Sequence, residues 1–170
     1  MKKTLLFLTI NLIFLATNYL LAQTCQNYIP NEWEDSRYTD NGNGTVTDNE
    51  TTLMWKKCTQ GLSGNDCNTG TGGRYDWKEA LQLVNNYSFA SHNDWRLPNI
   101  KELSSLVARR CSDPSINESA FPNTSASYFL SSSPSASNSS NVWQLHFGEG
   151  FAHNDSRDLK NFVRLVRSGQ

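Results

Sequence analysis

The sequence predicts an α+β domain, loop-rich and stapled by disulfides, with two helices packed on a mostly antiparallel sheet. Three observations predict it. Two short segments, at 76–84 and 99–107, open on a capping sequence and carry apolar residues at helical spacing. Runs of alternating apolar and polar residues flank them, at 38–55 and 142–167. Four Cys stand in a chain with a secretory leader, where small apolar cores commonly need staples.

The leader comes first. Lys2 and Lys3 precede an apolar run from Leu5 to Leu15, and Leu20-Leu21-Ala22 stands ahead of Gln23, the pattern of a signal peptide spanning residues 1–22. The run is too short for a bilayer span, and no later segment approaches 18 apolar residues, so the mature chain is not expected to span a membrane. Thr24, ahead of Cys25, is not the small residue a lipidation signal requires. Secretion, or a periplasmic or cell-surface location, is therefore expected. Losing two Lys moves the formal charge from −1 to −3, which disfavours nucleic acid as a partner. The remaining chain holds 17 Asn and 20 Ser, side chains that hydrogen-bond locally in turns. Residues 23–36 read as an N-terminal segment and 37–170 as a single domain.

Tyr38-Thr39-Asp40 and Thr45-Val46-Thr47 flank Asn41-Gly42-Asn43-Gly44, a hairpin signal, because Asn-Gly pairs supply the positive φ of a tight turn. Leu53-Met54-Trp55 is a third strand. Residues 58–73 hold Cys58, Cys67 and five Gly, a loop. Asp76-Trp77-Lys78-Glu79 is a capping box, followed by the stripe Trp77, Ala80, Leu81 and Val84. Asn99-Ile100-Lys101-Glu102 repeats the device with Ile100, Leu103, Leu106 and Val107. Between the helices, Pro98 holds Leu97 out of the α region. Residues 125–140 contain nine Ser, the composition of a flexible linker, but the apolar triplet Tyr128-Phe129-Leu130 argues against that reading. Val142 to Phe147, Phe151 to His153 and a closing strand from Phe162 to Arg167 complete the chain.

Several collinear motifs carry a family resemblance. They are residues 38–48, Leu53-Met54-Trp55, Asp94-Trp95-Arg96-Leu97-Pro98-Asn99-Ile100-Lys101-Glu102-Leu103, Phe121-Pro122-Asn123-Thr124, Ser131-Ser132-Ser133-Pro134 and Val163-Arg164-Leu165-Val166-Arg167. Their order, over residues 37–167, resembles the C-terminal domain of Legionella collagen-like adhesins. The resemblance implies an exported α+β domain similar to the C-type lectin fold, in a family whose best understood member binds sulfated glycans as a trimer. This chain departs from that member, because no Gly-X-Y stalk precedes the domain. Its acidic balance also weakens the case for a sulfated ligand, leaving Arg109, Arg110, Arg164 and Arg167 as a conceivable basic patch.

Asp94, Trp95, Arg96, Pro98 and Asn99 admit two readings. At a sugar site Trp95 would stack on a pyranose and Arg96 would donate a bidentate pair. As structure, Trp95 is core, Arg96 pairs a carbonyl or acid and Asn99 caps a helix; this reading is preferred. Asp40, Asn41, Asn43 and Asp48 offer oxygens to calcium, but Gly42 and Gly44 stand where an EF-hand loop has ligands and no Glu closes the site. Hairpin chemistry explains them. His146, Glu149 and His153 would suit zinc only on one face. A three-residue turn, Gly148-Glu149-Gly150, sets His146 opposite Ala152 and sends His153 to the other face, whereas a two-residue turn brings them together. No metal, cofactor or catalytic set is assigned.

The expected function is a secreted or surface, non-enzymatic binding module, adhesin-like, with a glycan or a host or surface protein as partner. Trp33, Tyr128, Trp143 and Arg157 are its candidate ligand residues, falling in loops or in strands beside the Ser-rich segment. Two other classes remain, a structural component of the cell envelope and an oxidase of the formylglycine-generating type, which needs a Cys or His metal site. Of the three connectivities open to four Cys, Cys58 with Cys67 closes a short, locally easy loop, leaving Cys25 with Cys111.

Overall fold

A computed structural model of the chain describes residues 22–31 and 35–169. The leader through residue 21 and the candidate Trp33 lie outside the described residues. In chain order the elements are β1 (Thr24–Cys25), β2 (Tyr38–Asp40), β3 (Thr45–Asp48), β4 (Leu53–Lys56), β5 (Leu62–Ser63), β6 (Thr69–Gly70), β7 (Arg74–Tyr75), α1 (Trp77–Leu83), α2 (Ile100–Ser104), β8 (Cys111–Ser112), β9 (Tyr128–Pro134), β10 (Asn141–His146), β11 (Phe151–Ser156), β12 (Asn161–Phe162) and β13 (Val166–Ser168). A five-stranded sheet runs β11-β10-β9-β12-β7 and a four-stranded sheet runs β13-β4-β3-β2. Two short ribbons, β1-β8 and β5-β6, complete the set.

The expected α+β, C-type lectin-like layout, with two helices packed on a sheet, is overturned: the chain is mostly β, and its helices are too short to form a layer. α1 has seven residues and α2 five. Both capping boxes form, Asp76 with Glu79 and Asn99 with Glu102, so helix starts are well specified. The ends are not. Beyond α1 the chain reaches Asn86 in the left-handed region at φ 61°, which stops a helix. Beyond α2, the Ser105 hydroxyl bonds back to Glu102 O and the Ala108 amide turns to Ser115 O. Leu106 and Val107, which continue the apolar stripe, are buried from this non-helical turn.

The Ser-rich segment is not a linker. It contains β9, an interior strand of the larger sheet, with Phe129, Leu130 and Ser131 fully buried. Phe129 and Leu130 point to opposite faces and enter different cores. The first core joins Phe129, Leu145 and Phe162 of one sheet to Val46, Trp55 and Val166 of the other. The second gathers Leu130, Val142, Trp95, Leu97 and Ala80. The serines satisfy the backbone: Ser131 Oγ donates to Trp143 O at 2.6 Å, and Ser133 Oγ accepts from Ile100 N at 3.0 Å at the start of α2.

The closing strand also differs from expectation, because it is split. Residues 163–165 carry the chain from β12 in the larger sheet to β13 in the smaller one. They stay extended because Gln60 N and Lys56 N donate to Val163 O and Leu165 O, both at 2.9 Å. Cys25 is bonded to Cys111 across β1 and β8, and Cys58 to Cys67 within the loop after β4. Two disulfides fit an oxidising, extracytoplasmic compartment. Among the described residues, no helix is long and apolar enough to cross a membrane.

Candidate functional site

The start of α1 and the turn after β11 build a cleft of about 460 Å³. Two backbone bonds set its shape. Arg157 N donates to Ser140 O at 3.0 Å, and Trp77 N donates to Arg157 O at 3.0 Å, so the turn is fixed to the first residue of the helix. The Arg157 guanidinium consequently stands 4.5 Å from the Trp77 ring centroid. The indole is held in turn, its Nε1 donating to Ser131 O at 3.0 Å. Trp77 and Leu81 form an apolar floor, and Gln82, Asn85 and Asp158 supply a polar rim. Such a surface, mostly carbon with a few placed polar groups, is the ordinary make-up of a small-molecule site. Gln82 and Asn85 carry no signal in the sequence, and Trp77 reads there as part of a core stripe. Their pairing with Arg157 depends on contacts far apart in the chain, which no local pattern signals.

Tyr128 and Trp143 do not line this cleft. Trp143 is half-buried on β10 opposite Asn154. Tyr128 belongs to a separate aromatic group, 4.5 Å from His146, 6.3 Å from His153 and 6.4 Å from Phe151 between ring centroids. The turn there has four residues, closed by Gly150 N donating to His146 O at 2.8 Å. His146 therefore pairs with Phe151 and Gln144 with His153, not the register set by a three-residue turn. Both histidines share one face with Tyr128, whose ring lies nearer His146 than His153. Among the described residues, no three groups of metal-ligating type come together.

The side chains of the Asp94 segment are engaged within the fold. Trp95 is buried and donates from Nε1 to Phe89 O at 3.0 Å. Arg96 donates a bidentate pair to Glu102 at 2.8 and 2.7 Å and bonds through its backbone to Val166 in both directions. Pro98 O accepts from Ser132 N at 2.7 Å, Asn99 caps α2, and Asp94 accepts from Arg167 Nε at 2.7 Å. The segment thus ties α2 to β9 and β13. Arg164 is fully buried and Arg167 is 4% exposed, so the four arginines do not assemble a surface patch.

The oxygens weighed for calcium are already engaged. Asp40 accepts from Lys57 Nζ at 2.8 Å and from Gly42 N at 2.9 Å. Asn43 Oδ1 accepts from the Thr45 amide and hydroxyl, and Asp48 is buried against Arg37 at the far end of β3.

A family model described as the Lcl C-terminal domain matches residues 44–167, from the last glycine of the hairpin turn to β13. A search of curated proteins finds no match for this chain.

Proposed function

The chain belongs to the Lcl C-terminal domain family, and from that premise we propose that it is a surface, adhesin-like binding module, not an enzyme, that takes a carbohydrate in the Trp77–Arg157 cleft. The observation that carries this reading is the Arg157 guanidinium held over Trp77 beside Gln82, Asn85 and Asp158. The apolar floor of Trp77 and Leu81 suits the C–H face of a pyranose. The rim supplies planar donors and acceptors for ring hydroxyls. Affinity at such a shallow cleft is modest for one sugar and rises with repeated engagement, which suits attachment to a glycan-coated surface.

The test is a glycan array probed with the disulfide-bonded protein, with and without calcium, followed by titration of Arg157→Ala and Gln82→Ala against the best ligand. The expected result is calcium-independent binding to a defined glycan class, weakened about tenfold or more by each substitution. Silence across the array, or full binding by both variants, removes this reading. In the first case a protein partner takes its place.

A further inference from the structure

A second cleft, of about 320 Å³, lies between the turn of the β2–β3 hairpin and the Cys58–Cys67 loop. Phe89 and Leu62 give it apolar walls. The fit is close at one point: Gly44 has φ +83°, and a Cβ there would stand 2.8 Å from the Phe89 ring.

Lys56 lines this cleft and is only 6% exposed. Its Nζ donates to Gln60 Oε1 at 2.8 Å and lies 5.2 Å and 5.9 Å from the Phe89 and Tyr87 ring centroids. Among the described residues, no carboxylate pairs with it. The one acid on the cleft wall, Asp40, is taken by Lys57 at 2.8 Å. Behind the wall, fully buried Arg164 gives its donors to Lys56 O, Lys57 O and Thr124 Oγ1, and adds a further uncompensated positive charge. Two lysines line a wall that carries one acid, with Arg164 behind it, in a chain whose overall formal charge is −1. Buried charges are ordinarily paired, and aromatic faces with one amide compensate an ammonium only in part.

We propose that this cleft binds a small organic acid, its carboxylate set against Lys56 Nζ and its apolar body along Phe89 and Leu62. A monoanion fits better than sulfate or phosphate, because Lys57, which also lines the cleft, is paired with Asp40 and leaves one compact ammonium without a carboxylate partner. The guanidinium of Arg164, which would suit a larger oxyanion, is turned to backbone carbonyls. A strongly hydrated anion would also lose its water against carbon walls. Burial, with the Arg164 charge, lowers the Lys56 pKa to about 8, so the ammonium is still mostly protonated at neutral pH. The groups facing it are Tyr87, Arg164 and the Asp40–Lys57 pair.

The site is separate from the Trp77–Arg157 cleft, so either can fail without the other. Phenylacetate is titrated into the protein while the lysine side-chain signals are followed by NMR, with sodium sulfate and sodium phosphate at equal ionic strength as parallel arms. A saturable shift of Lys56 with a millimolar Kd is expected, together with a rise of about one unit in its pKa, equal to about tenfold preference for the protonated form. Lys56→Met abolishes the response, and Lys101→Met, at an exposed position of α2 outside the cleft, keeps it. A Lys56 signal that does not move up to about 10 mM phenylacetate, or that moves equally with sulfate and phosphate, overturns the proposal. So does undiminished binding by Lys56→Met. Should that variant fail to fold, the unmodified protein's titration still decides.

Discussion

Asp48 has no exposed side-chain surface, yet it keeps its charge because Arg37 meets it with two hydrogen bonds of 3.1 and 2.9 Å. Burial pushes its pKa up, but the bonds from Arg37, from Thr51 and from the Glu50 amide outweigh that and hold it below the usual carboxylate value. A carboxylate depressed in the folded state stabilises the fold above its unfolded pKa, near 4, and loses that contribution as pH falls through the folded value. Asp48→Asn leaves Arg37 facing a neutral amide, with Glu50 as its exposed acidic partner. A loss of about 3 kcal/mol is expected at pH 7, the lower end for breaking a buried pair. Urea denaturation at pH 7 and at pH 3 checks it. The gap between the two proteins should narrow at the lower pH, and a gap constant across both would show that charge is not what Asp48 supplies. The Glu79–Lys160 pair is the contrast: both side chains are largely exposed, so its 2.8 Å contact carries no comparable expectation.

At the scale of elements, the two capping boxes are the best specified features of the chain. Asp76→Ala and Asn99→Ala should each cost about 1 kcal/mol in denaturant titrations, and Asn99→Asp should be nearly neutral, because Asp also accepts from the amide of Glu102. A neutral Asn99→Ala would mean that Arg96 and Glu102 hold α2 without the cap. The hairpin at 38–48, both helix starts and the Cys58–Cys67 loop were legible because each is written in nearby residues, and Cys25–Cys111 followed as the pair that remained. Helix length was not. An apolar stripe over eight residues is shared by a two-turn helix and by a single turn leading into a buried loop, and contacts such as Ala108 to Ser115 decide between them. In β9 only the apolar triplet Tyr128-Phe129-Leu130 signals a strand; the serine hydroxyls bond to the backbone of β10 and to the start of α2, so a composition that suits solvent here serves an interior strand. Leu130→Ala tests the strand directly, with an expected loss of about 3 kcal/mol from the emptied core position. The Arg157 cleft was legible only in its arginine, since Trp77 shows its helix position in sequence but not its partner.

Across the whole molecule, the first core holds the two sheets together and residues 163–165 pass the chain between them, while the disulfides act at the margins. Those two bonds close loops of very different length, with sequence separations of 86 and 9. In the folded state the longer closure ties down little: β1 has two residues, joined to β8 and helped by Gln23 Nε2 donating to Pro114 O and Ile116 O. Native contacts alone would make it the less important bond. Chain entropy argues the opposite, because restricting the unfolded ensemble grows with the logarithm of loop length, giving about 4.6 kcal/mol for the longer loop against about 2.6 kcal/mol for the shorter. The shorter loop adds contacts in the fold, since Cys67 O accepts from Asn123 Nδ2 at 2.8 Å and both sulfurs are buried. The paired substitutions Cys25→Ser with Cys111→Ser, and Cys58→Ser with Cys67→Ser, set these accounts against each other in reversible denaturation. The N-terminal pair should show the larger loss, mostly as faster folding lost from a less restricted chain and not as faster unfolding. A larger loss from the Cys58–Cys67 pair would place the stabilisation in the packed loop beside β4, and would make that loop, not the tethered N-terminus, the part of the fold that depends on an oxidising environment.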